Sequence, residues 1–364
     1  MKSFITAPFI PIVPRMSSHR SAQGVIYCDM IQESGIECEV NWAGKSIRDI
    51  NDYDVMYVYH GSDWQGSLNL FGGVKGFPYA FNIRNFSKFK GKVISIGIDF
   101  PAYHEMIGDR IQAAKSKGTQ IQQEWHDVDL KNLERMFKES TKVRFPHITN
   151  KVVIGDSHSI CMHRPGWTVN SVPFKTLNGA LNTGLQTFIE EIQFIEKVTA
   201  VEFYFGNIDV RHHLCRLEGN PIDNAKSLVK RYVNAVMTLP ISDKAIYELL
   251  PIEHESRKLP QTGYYKGKPF WGSWIERNGV RHAFNDYCEL LCKQNDIRFI
   301  RWTDYLLNSK FELDFKYMEK PHSIHLSREF YPHWTGIDKT RICEVPHKPA
   351  LLEVTHNTLD SFFE

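Results

Sequence analysis

The first residues whose types and spacing could do chemistry are 155–159, Gly-Asp-Ser-His-Ser, directly after the apolar run 151–154. Such a run predicts a buried strand, and a serine at the carboxyl end of a parallel strand lies where α/β proteins bind ligands. We expect Gly155 to make a tight turn that exposes Ser157, whose hydroxyl can act as a nucleophile when a base takes its proton. Ser157 and Asp156 are therefore catalytic candidates. The neighbouring histidine, His158, is a supporting candidate, and an ordinary turn after a strand is the alternative.

A second group, residues 205–213, reads Phe-Gly-Asn-Ile-Asp-Val-Arg-His-His and also follows an apolar run. Gly206 and Asn207 at a strand end could aim a backbone N–H and a side-chain amide at an oxyanion. Asp209 and Arg211 are supporting candidates, and a pair between them that merely fixes the loop is the alternative. We expect at most one of the two histidines that end this segment to face the crevice.

The third group is residues 320–327, Lys-Pro-His-Ser-Ile-His-Leu-Ser. His325 is the best candidate for a general base, because imidazole titrates near working pH. His322 is a supporting candidate. A serine after one strand, a Gly-Asn pair after the next and a late histidine on a loop together indicate acyl transfer, with Ser157 attacking an acyl carbon.

The elements that must position these residues alternate between strand and helix. Apolar runs predict strands at 2–6, 36–42, 54–59, 92–98, 151–154, 198–205, 245–252 and 297–302, and helical spacing predicts helices at 18–33, 220–239 and 281–294, with 108–140 mostly helical. This alternation is typical of α/β folds with parallel sheets, here two Rossmann-like three-layer domains. Pro146 lies in a plausible linker, so we predict domains at 1–145 and 146–335, then a packing segment or tail at 336–364.

Residues of about 150–335 resemble the SGNH/GDSL hydrolase superfamily. Ser157 stands at the nucleophile position of its first block. In residues 177–179, Leu-Asn-Gly, Gly179 matches the glycine that lends an oxyanion N–H. Gly206 matches the third block, but the family reads Gly-x-Asn-Asp there, so Asn207 stands one place early. The resemblance implies a flavodoxin-like parallel sheet for the second domain.

The last block departs most from the family, whose pattern is Asp-x-x-His with the acid orienting the base. At that spacing this chain has His322 before His325, so the acidic position is not filled. Three interpretations stay open. The enzyme uses a Ser–His dyad, or Asp304 or Asp314 supplies the acid, or the two histidines bind an anionic group in a repurposed site. In a triad, loss of the acid can cost about 10⁴-fold in rate.

The resemblance implies an esterase, deacylase or acyltransferase that acts on a carbohydrate-like or acylated, conjugated substrate, with no cofactor and no metal. Two alternatives come from other classes. The tandem α/β domains loosely resemble nucleotide-sugar glycosyltransferases, in which a nucleotide sugar would be the donor. The chain could also be a non-catalytic binding module on an SGNH scaffold. The role of the amino-terminal domain and the oligomeric state stay open.

Composition sets the remaining bounds. The 44 Lys and Arg against 42 Asp and Glu give a net charge of +2, so nucleic acid is not indicated as a partner, although a local basic groove is not excluded. Seven cysteines, an odd number, favour reduced thiols and a cytoplasmic location over a disulfide framework. No apolar run is long enough to predict a membrane span. The 16 histidines are a surplus, of which several fall in the three groups above.

Overall fold

The computed structural model describes residues 1–7, 19–42, 50–59, 87–96, 129–254, 271–319 and 324–333. Contacts within the chain divide it into two units. The first contains 1–148 and 164–168, and the second contains 149–163 and 169–333. The division after Ile148 lies close to the domain boundary predicted at 145. The predicted packing segment at 336–364 lies outside the described residues.

The first unit is built on a five-stranded sheet in the order β2-β1-β3-β4-β5. Its elements are β1 (Lys2–Ala7), α1 (His19–Glu33), β2 (Glu37–Trp42), β3 (Val55–Tyr59), β4 (Lys92–Ile96), α2 (Leu130–Glu139) and β5 (Thr141–Val143). All four strand pairs are parallel. Phe4 lies at the centre of the core, where its ring packs edge-on against Tyr53 and Phe89. The middle of this strand is buried, where Phe4 and Ile5 supply apolar side chains to the core.

The second unit has a five-stranded sheet in the order β10-β9-β8-β6-β7. Its elements are β6 (Lys151–Gly155), β7 (Thr168–Ser171), α3 (Leu177–Thr183), α4 (Leu185–Glu190), β8 (Ala200–Tyr204), α5 (Asn207–His212), α6 (Pro221–Met237), β9 (Asp243–Tyr247), α7 (Trp274–Gln294) and β10 (Arg298–Ile300). The pairs β6–β8, β8–β9 and β9–β10 are parallel. Every residue of β8 is buried, which explains its mostly apolar sequence. The exception is Glu202, whose carboxylate pairs with Arg298.

Renumbered within each unit, both sheets have the strand order 2-1-3-4-5, the flavodoxin-like order. The predicted α/β class with two parallel sheets is therefore confirmed. In the second unit the chain reverses its winding between β6 and β8. Open α/β sheets bind ligands beyond the carboxyl ends of the strands at this point.

Several element boundaries differ from the sequence prediction. Helix α7 begins at Trp274 instead of residue 281, because Ser273 and Glu276 form a capping box that starts it earlier. The short elements β5, β7, α3, α4 and α5 were not predicted, since they are too short to show a clear hydrophobic period. The predicted helix at 108–128 lies outside the described residues. Within the described parts of the chain, no helix is both long and apolar enough to cross a membrane.

Candidate active site

Ser157 and His325 meet at the carboxyl end of the second sheet. Ser157 begins a short 3-10 helix, Ser157–Met162, immediately beyond β6, and its Oγ lies 2.9 Å from Nε2 of His325. With the imidazole proton on Nδ1, the serine hydroxyl donates and Nε2 is the acceptor. The distance is that of a nucleophile and a general base in hydrogen-bond contact.

Gly155 is required at the end of β6 for a reason other than the one expected. Its φ is not among the positive values of the chain, so it does not make the predicted glycine turn. A Cβ at this position would instead lie 2.3 Å from the carbonyl oxygen of Tyr204 and 2.7 Å from Cβ of Ser159. Glycine therefore allows the close approach of the backbone of β8 to the nucleophile segment.

The sequence analysis left the acidic position beside His325 unfilled, and in the structure Glu319 is the carboxylate near that histidine. Its Oε1 lies 3.7 Å from Nδ1 of His325, on the ring edge opposite the serine, and its side chain is buried. The two residues face each other across an antiparallel bridge, in which Met318 pairs with Leu326 and the Glu319 N–H donates to the carbonyl of His325. An isolated antiparallel bridge therefore holds Glu319 and His325 opposite each other.

Asp304 and Asp314, the carboxylates that the sequence suggested as partners of His325, have other environments. Asp304 is exposed, and Asp314 accepts a hydrogen bond from the backbone of Lys316 and pairs with its ammonium group. Both expectations are corrected by the position of Glu319, which stands six residues before His325 where the family pattern has its acid three before. A search for any carboxylate shortly before the base could have found it. His322 lies outside the described residues.

Asp156 and His158 form a second pair beside the first. The Asp156 carboxylate accepts from the backbone N–H of His158 at 2.9 Å, and its Oδ1 lies 2.8 Å from Nδ1 of the same residue. The His158 ring in turn stacks on that of His325, with centroids 4.9 Å apart and an interplanar angle of 29°. Asp156 therefore lies behind His158, as a cap of the 3-10 helix, rather than against the reacting atoms.

Burial controls the charge of this second pair. Asp156 and His158 are both almost fully buried. Burial lowers the pKa of His158, and the attraction of Asp156 opposes that shift only in part. His158 is thus a neutral imidazole that donates its Nδ1 proton to the carboxylate.

The predicted oxyanion role of Gly179 is corrected by its hydrogen bond. Its N–H donates at 3.0 Å to Oγ1 of Thr176, the N-cap residue of α3. This N–H is therefore not available to a substrate. The same turn is held by Asp209, whose carboxylate accepts from the N–H groups of Leu177 and Asn178. Burial nevertheless raises the pKa of Asp209 to about 6.

Asn207 and Arg211 are buried beyond β8, where their side chains hold the loop through hydrogen bonds. Asn207 is fully buried, and its Oδ1 accepts from the N–H of Leu250 at 3.0 Å. This contact engages the carbonyl oxygen of Asn207. The buried amide nitrogen, which is the group that would donate to an oxyanion, is not engaged by it, so the oxyanion role of Asn207 stays a prediction. Arg211 donates from Nε to Glu253 at 2.8 Å, so the expected pair between Arg211 and Asp209 is wrong. This buried pair with Glu253 was not foreseen from sequence.

Gly206 has a conformation that only glycine adopts easily. Its φ is 115°, and a Cβ there would lie 3.0 Å from Cζ of Phe284. It directs the chain from β8 into α5. His212 and His213 lie at the far end of that helix, where both are half-buried.

No metal centre can be assembled from the described residues, in which no three His, Cys, Asp or Glu side chains come together as ligands. The cysteines Cys288 and Cys292 are buried in the core on one face of α7, as their spacing predicted.

No protein-family profile and no curated protein matches the chain. Among solved structures, a Streptococcus pneumonia protein provisionally described as a platelet activating factor is 17% identical, over 50% of this chain and 78% of that one, with a TM-score of 0.35. An extracellular lipase from Streptomyces rimosus is 13% identical over 51% of this chain and 96% of that one, with a TM-score of 0.31. A gut microbial diltiazem-metabolizing enzyme is 13% identical over 43% and 38%, with a TM-score of 0.29. Likeness at this level does not indicate an activity for this chain.

Proposed function

We propose that this protein is an SGNH-type serine hydrolase or acyltransferase. One observation carries the proposal: Oγ of Ser157, the imidazole of His325 and the carboxylate of Glu319 follow one another at 2.9 and 3.7 Å, at the switch point of a parallel sheet. Nucleophile, base and orienting acid in this order are the parts that acyl transfer through a serine requires.

In the proposed reaction, Nε2 of His325 takes the hydroxyl proton as Oγ of Ser157 attacks an acyl carbon. The imidazolium that forms is stabilised by Glu319 at its other edge. His325 then gives the proton to the leaving oxygen or nitrogen, and an acyl group stays on the serine. Water or an acceptor hydroxyl, deprotonated by the same imidazole, attacks this ester and frees Ser157.

The proposed oxyanion donor is the backbone N–H of Ser157. It is the first N–H of the 3-10 helix Ser157–Met162, and the first N–H groups of a helix have no acceptor within the helix. A donor in that place points toward the charge that develops on the acyl oxygen. Gly206 keeps its place beside it as the second candidate, in a strand-end loop of the same sheet.

A carbohydrate-like or conjugated substrate is part of the proposal. Tyr305 is 44% exposed and stacks edge-on against Tyr317, two residues before Glu319. Burial raises the pKa of the Tyr305 phenol, and the neighbouring Cys161, in the 3-10 helix Ser157–Met162, raises it further. Exposed aromatic rings give a sugar an apolar surface to pack against.

Labelling with a fluorophosphonate tests the proposal. The wild type is expected to gain one covalent adduct at Ser157, seen by peptide mass spectrometry, and to hydrolyse p-nitrophenyl acetate. The Ser157→Ala variant should do neither. A wild type that stays unlabelled, or a Ser157→Ala variant with unchanged turnover, contradicts the proposal. In that case a thermal-shift series with nucleotide sugars distinguishes the glycosyltransferase alternative from a binding module.

A further inference from the structure

His158 stands directly after the proposed nucleophile, and its ring contacts the ring of the proposed base, His325. The two imidazoles stack at 4.9 Å with their planes 29° apart. Ser157 and Glu319 approach His325 at its two nitrogen edges, whereas His158 covers a face of its ring. These three contacts together restrict both the displacement and the rotation of the base.

The position of His158 is itself fixed from behind. Oδ1 of Asp156 lies at 2.8 Å from Nδ1 of the ring and accepts the backbone N–H of the same residue at 2.9 Å. The His158 side chain is 1% exposed and that of Asp156 is fully buried, so water does not compete for this pair. Because Asp156 fixes both the backbone N–H and the ring Nδ1 of His158 away from water, the His158 ring is a rigid surface for a second ring.

We propose that His158 is a positioning residue, which holds the imidazole of His325 in place and stabilises its protonated form during acyl transfer. Asp156 anchors it. This inference rests on the proposed function, because it assigns the base to His325. It goes beyond that function by giving a task to a histidine that the reaction itself does not use.

The charge around the stack supports this task. Burial lowers the pKa of His158, so the ring stays neutral, and the repulsion of a protonated His325 lowers it further. Charged groups near the pair include the carboxylates of Asp156 and Glu319 and the guanidinium of Arg211. A neutral aromatic face with a carboxylate behind it attracts an imidazolium, whereas a second imidazolium would repel it.

Two matched variants separate the ring from its hydrogen bond. In His158→Asn, the amide nitrogen can take the place of Nδ1 and keep the bond to Asp156, but no ring remains to stack. In His158→Phe, a flat ring remains while the bond to Asp156 is lost. His282→Asn is the control, since it makes the same chemical change at an exposed position on α7.

For p-nitrophenyl acetate, we expect His158→Asn to lower kcat about 10- to 100-fold with little change in KM, because a base misplaced by ~1 Å can cost about 10²-fold. The acid limb of its pH–rate profile should move about half a unit to one unit lower, as the imidazolium loses a favourable contact. His158→Phe should keep kcat within about fivefold but have a lower Tm, and His282→Asn should match the wild type. The proposal is overturned if His158→Asn keeps the wild-type kcat and acid limb, or if His158→Phe loses as much kcat as His158→Asn.

Nuclear magnetic resonance of histidine-labelled protein tests the stack without any substrate. His325→Gln and His158→Asn assign the two resonances by their loss. In the wild type we expect His158 to stay a neutral Nδ1–H tautomer through neutral pH, and the pKa of His325 to fall in His158→Asn. A His158 that is protonated at neutral pH, or a His325 that titrates unchanged in that variant, refutes the inference. If fluorophosphonate leaves Ser157 unlabelled while these titrations behave as expected, the proposed function fails and the positioning contact stands.

Discussion

Glu319 offers the sharpest test of the proposed triad, because sequence patterns place the acid elsewhere. In Glu319→Gln the side chain keeps its length and its ability to accept a hydrogen bond, but the negative charge opposite Nδ1 of His325 is lost. We expect the variant to fold and to react slowly with an acyl ester. The reason is that the imidazolium formed during attack has no counter-charge at that edge.

The size of the effect follows from the separation of the charges. Opposite unit charges 3.7 Å apart, at an effective dielectric constant of about 20, attract by about 4 kcal/mol. The Glu319 side chain is 7% exposed and that of His325 is 21% exposed, so solvent screens the pair only in part. If all of this attraction appears in the transition state and none in the ground state, kcat falls on the order of a thousandfold. Since the 3.7 Å contact is longer than a hydrogen bond, that figure is an upper bound.

The assay is the rate of p-nitrophenyl acetate hydrolysis across pH, with the rate of fluorophosphonate labelling as an independent measure of nucleophile reactivity. Loss of the carboxylate should also lower the pKa of His325, so the acid limb of the profile should move to lower pH as the maximum rate falls. Asp304→Asn and Asp314→Asn are matched controls. They make the same charge change at the positions that the sequence suggested and should keep wild-type rates.

A Glu319→Gln variant that retains a third or more of the wild-type kcat/KM would refute the reasoning, because Glu319 would then not stabilise the imidazolium of His325. A large loss in Asp304→Asn with none in Glu319→Gln would restore the sequence-based assignment. A drop in Tm that parallels the drop in rate would instead identify Glu319 as a structural residue of the bridge between Met318 and Leu326.

Other predictions concern stability, measured by urea unfolding. Folding raises the pKa of Asp209 from 3.8 to about 6, so its contribution to the free energy of unfolding is fully present below pH 3.8 and is lost as pH rises through 6. Relative to Asp209→Asn, the wild type should lose about 3 kcal/mol of stability across that window. A stability difference that does not change with pH would contradict this. Gly155→Ala should lower the free energy of unfolding by at least about 3 kcal/mol, because its Cβ would lie 2.3 Å from the Tyr204 carbonyl, and an unchanged value would show that the strands can separate. Arg211→Met should cost up to about 3 to 5 kcal/mol, because the buried Glu253 carboxylate loses its 2.8 Å contact with Arg211 and keeps the longer 3.9 Å contact with Arg277, and adding Glu253→Gln should recover part of that loss.

The sequence predicts the framework of the site because its signal is local. A buried parallel strand is apolar along most of its length, so 198–205 and 151–154 are recognisable, and β8 and β6 lie there, although β8 also contains the buried Glu202. The carboxyl ends of adjacent parallel strands share one edge of a sheet, so a serine after β6 falls beside the Gly-Asn pair after β8. That much follows from strand direction alone.

The remaining parts of the site depend on contacts that no local pattern encodes. Whether Gly179 offers its N–H to a substrate depends on the Oγ1 of Thr176, which claims it as a helix cap. Which residue pairs with Arg211 depends on Glu253, a residue distant in sequence. In both cases a polar group has a choice of partner, and burial favours the choice that satisfies it, since a buried donor or acceptor left without a partner is costly.

Glu319 shows how a fixed spacing can mislead even when the chemistry is kept. A spacing of three residues between acid and base suits a single turn of chain, but here the two residues face each other across the bridge between Met318 and Leu326. The pairing of Met318 with Leu326 sets the distance from Nδ1 of His325 to the Glu319 carboxylate. The number of residues between Glu319 and His325 does not set it. The acid and base are thereby fixed to each other by backbone pairing, and only the approach of the bridged segments to Ser157 depends on tertiary packing. A family defined by the spacing of its last block would miss this chain, although the same three groups meet.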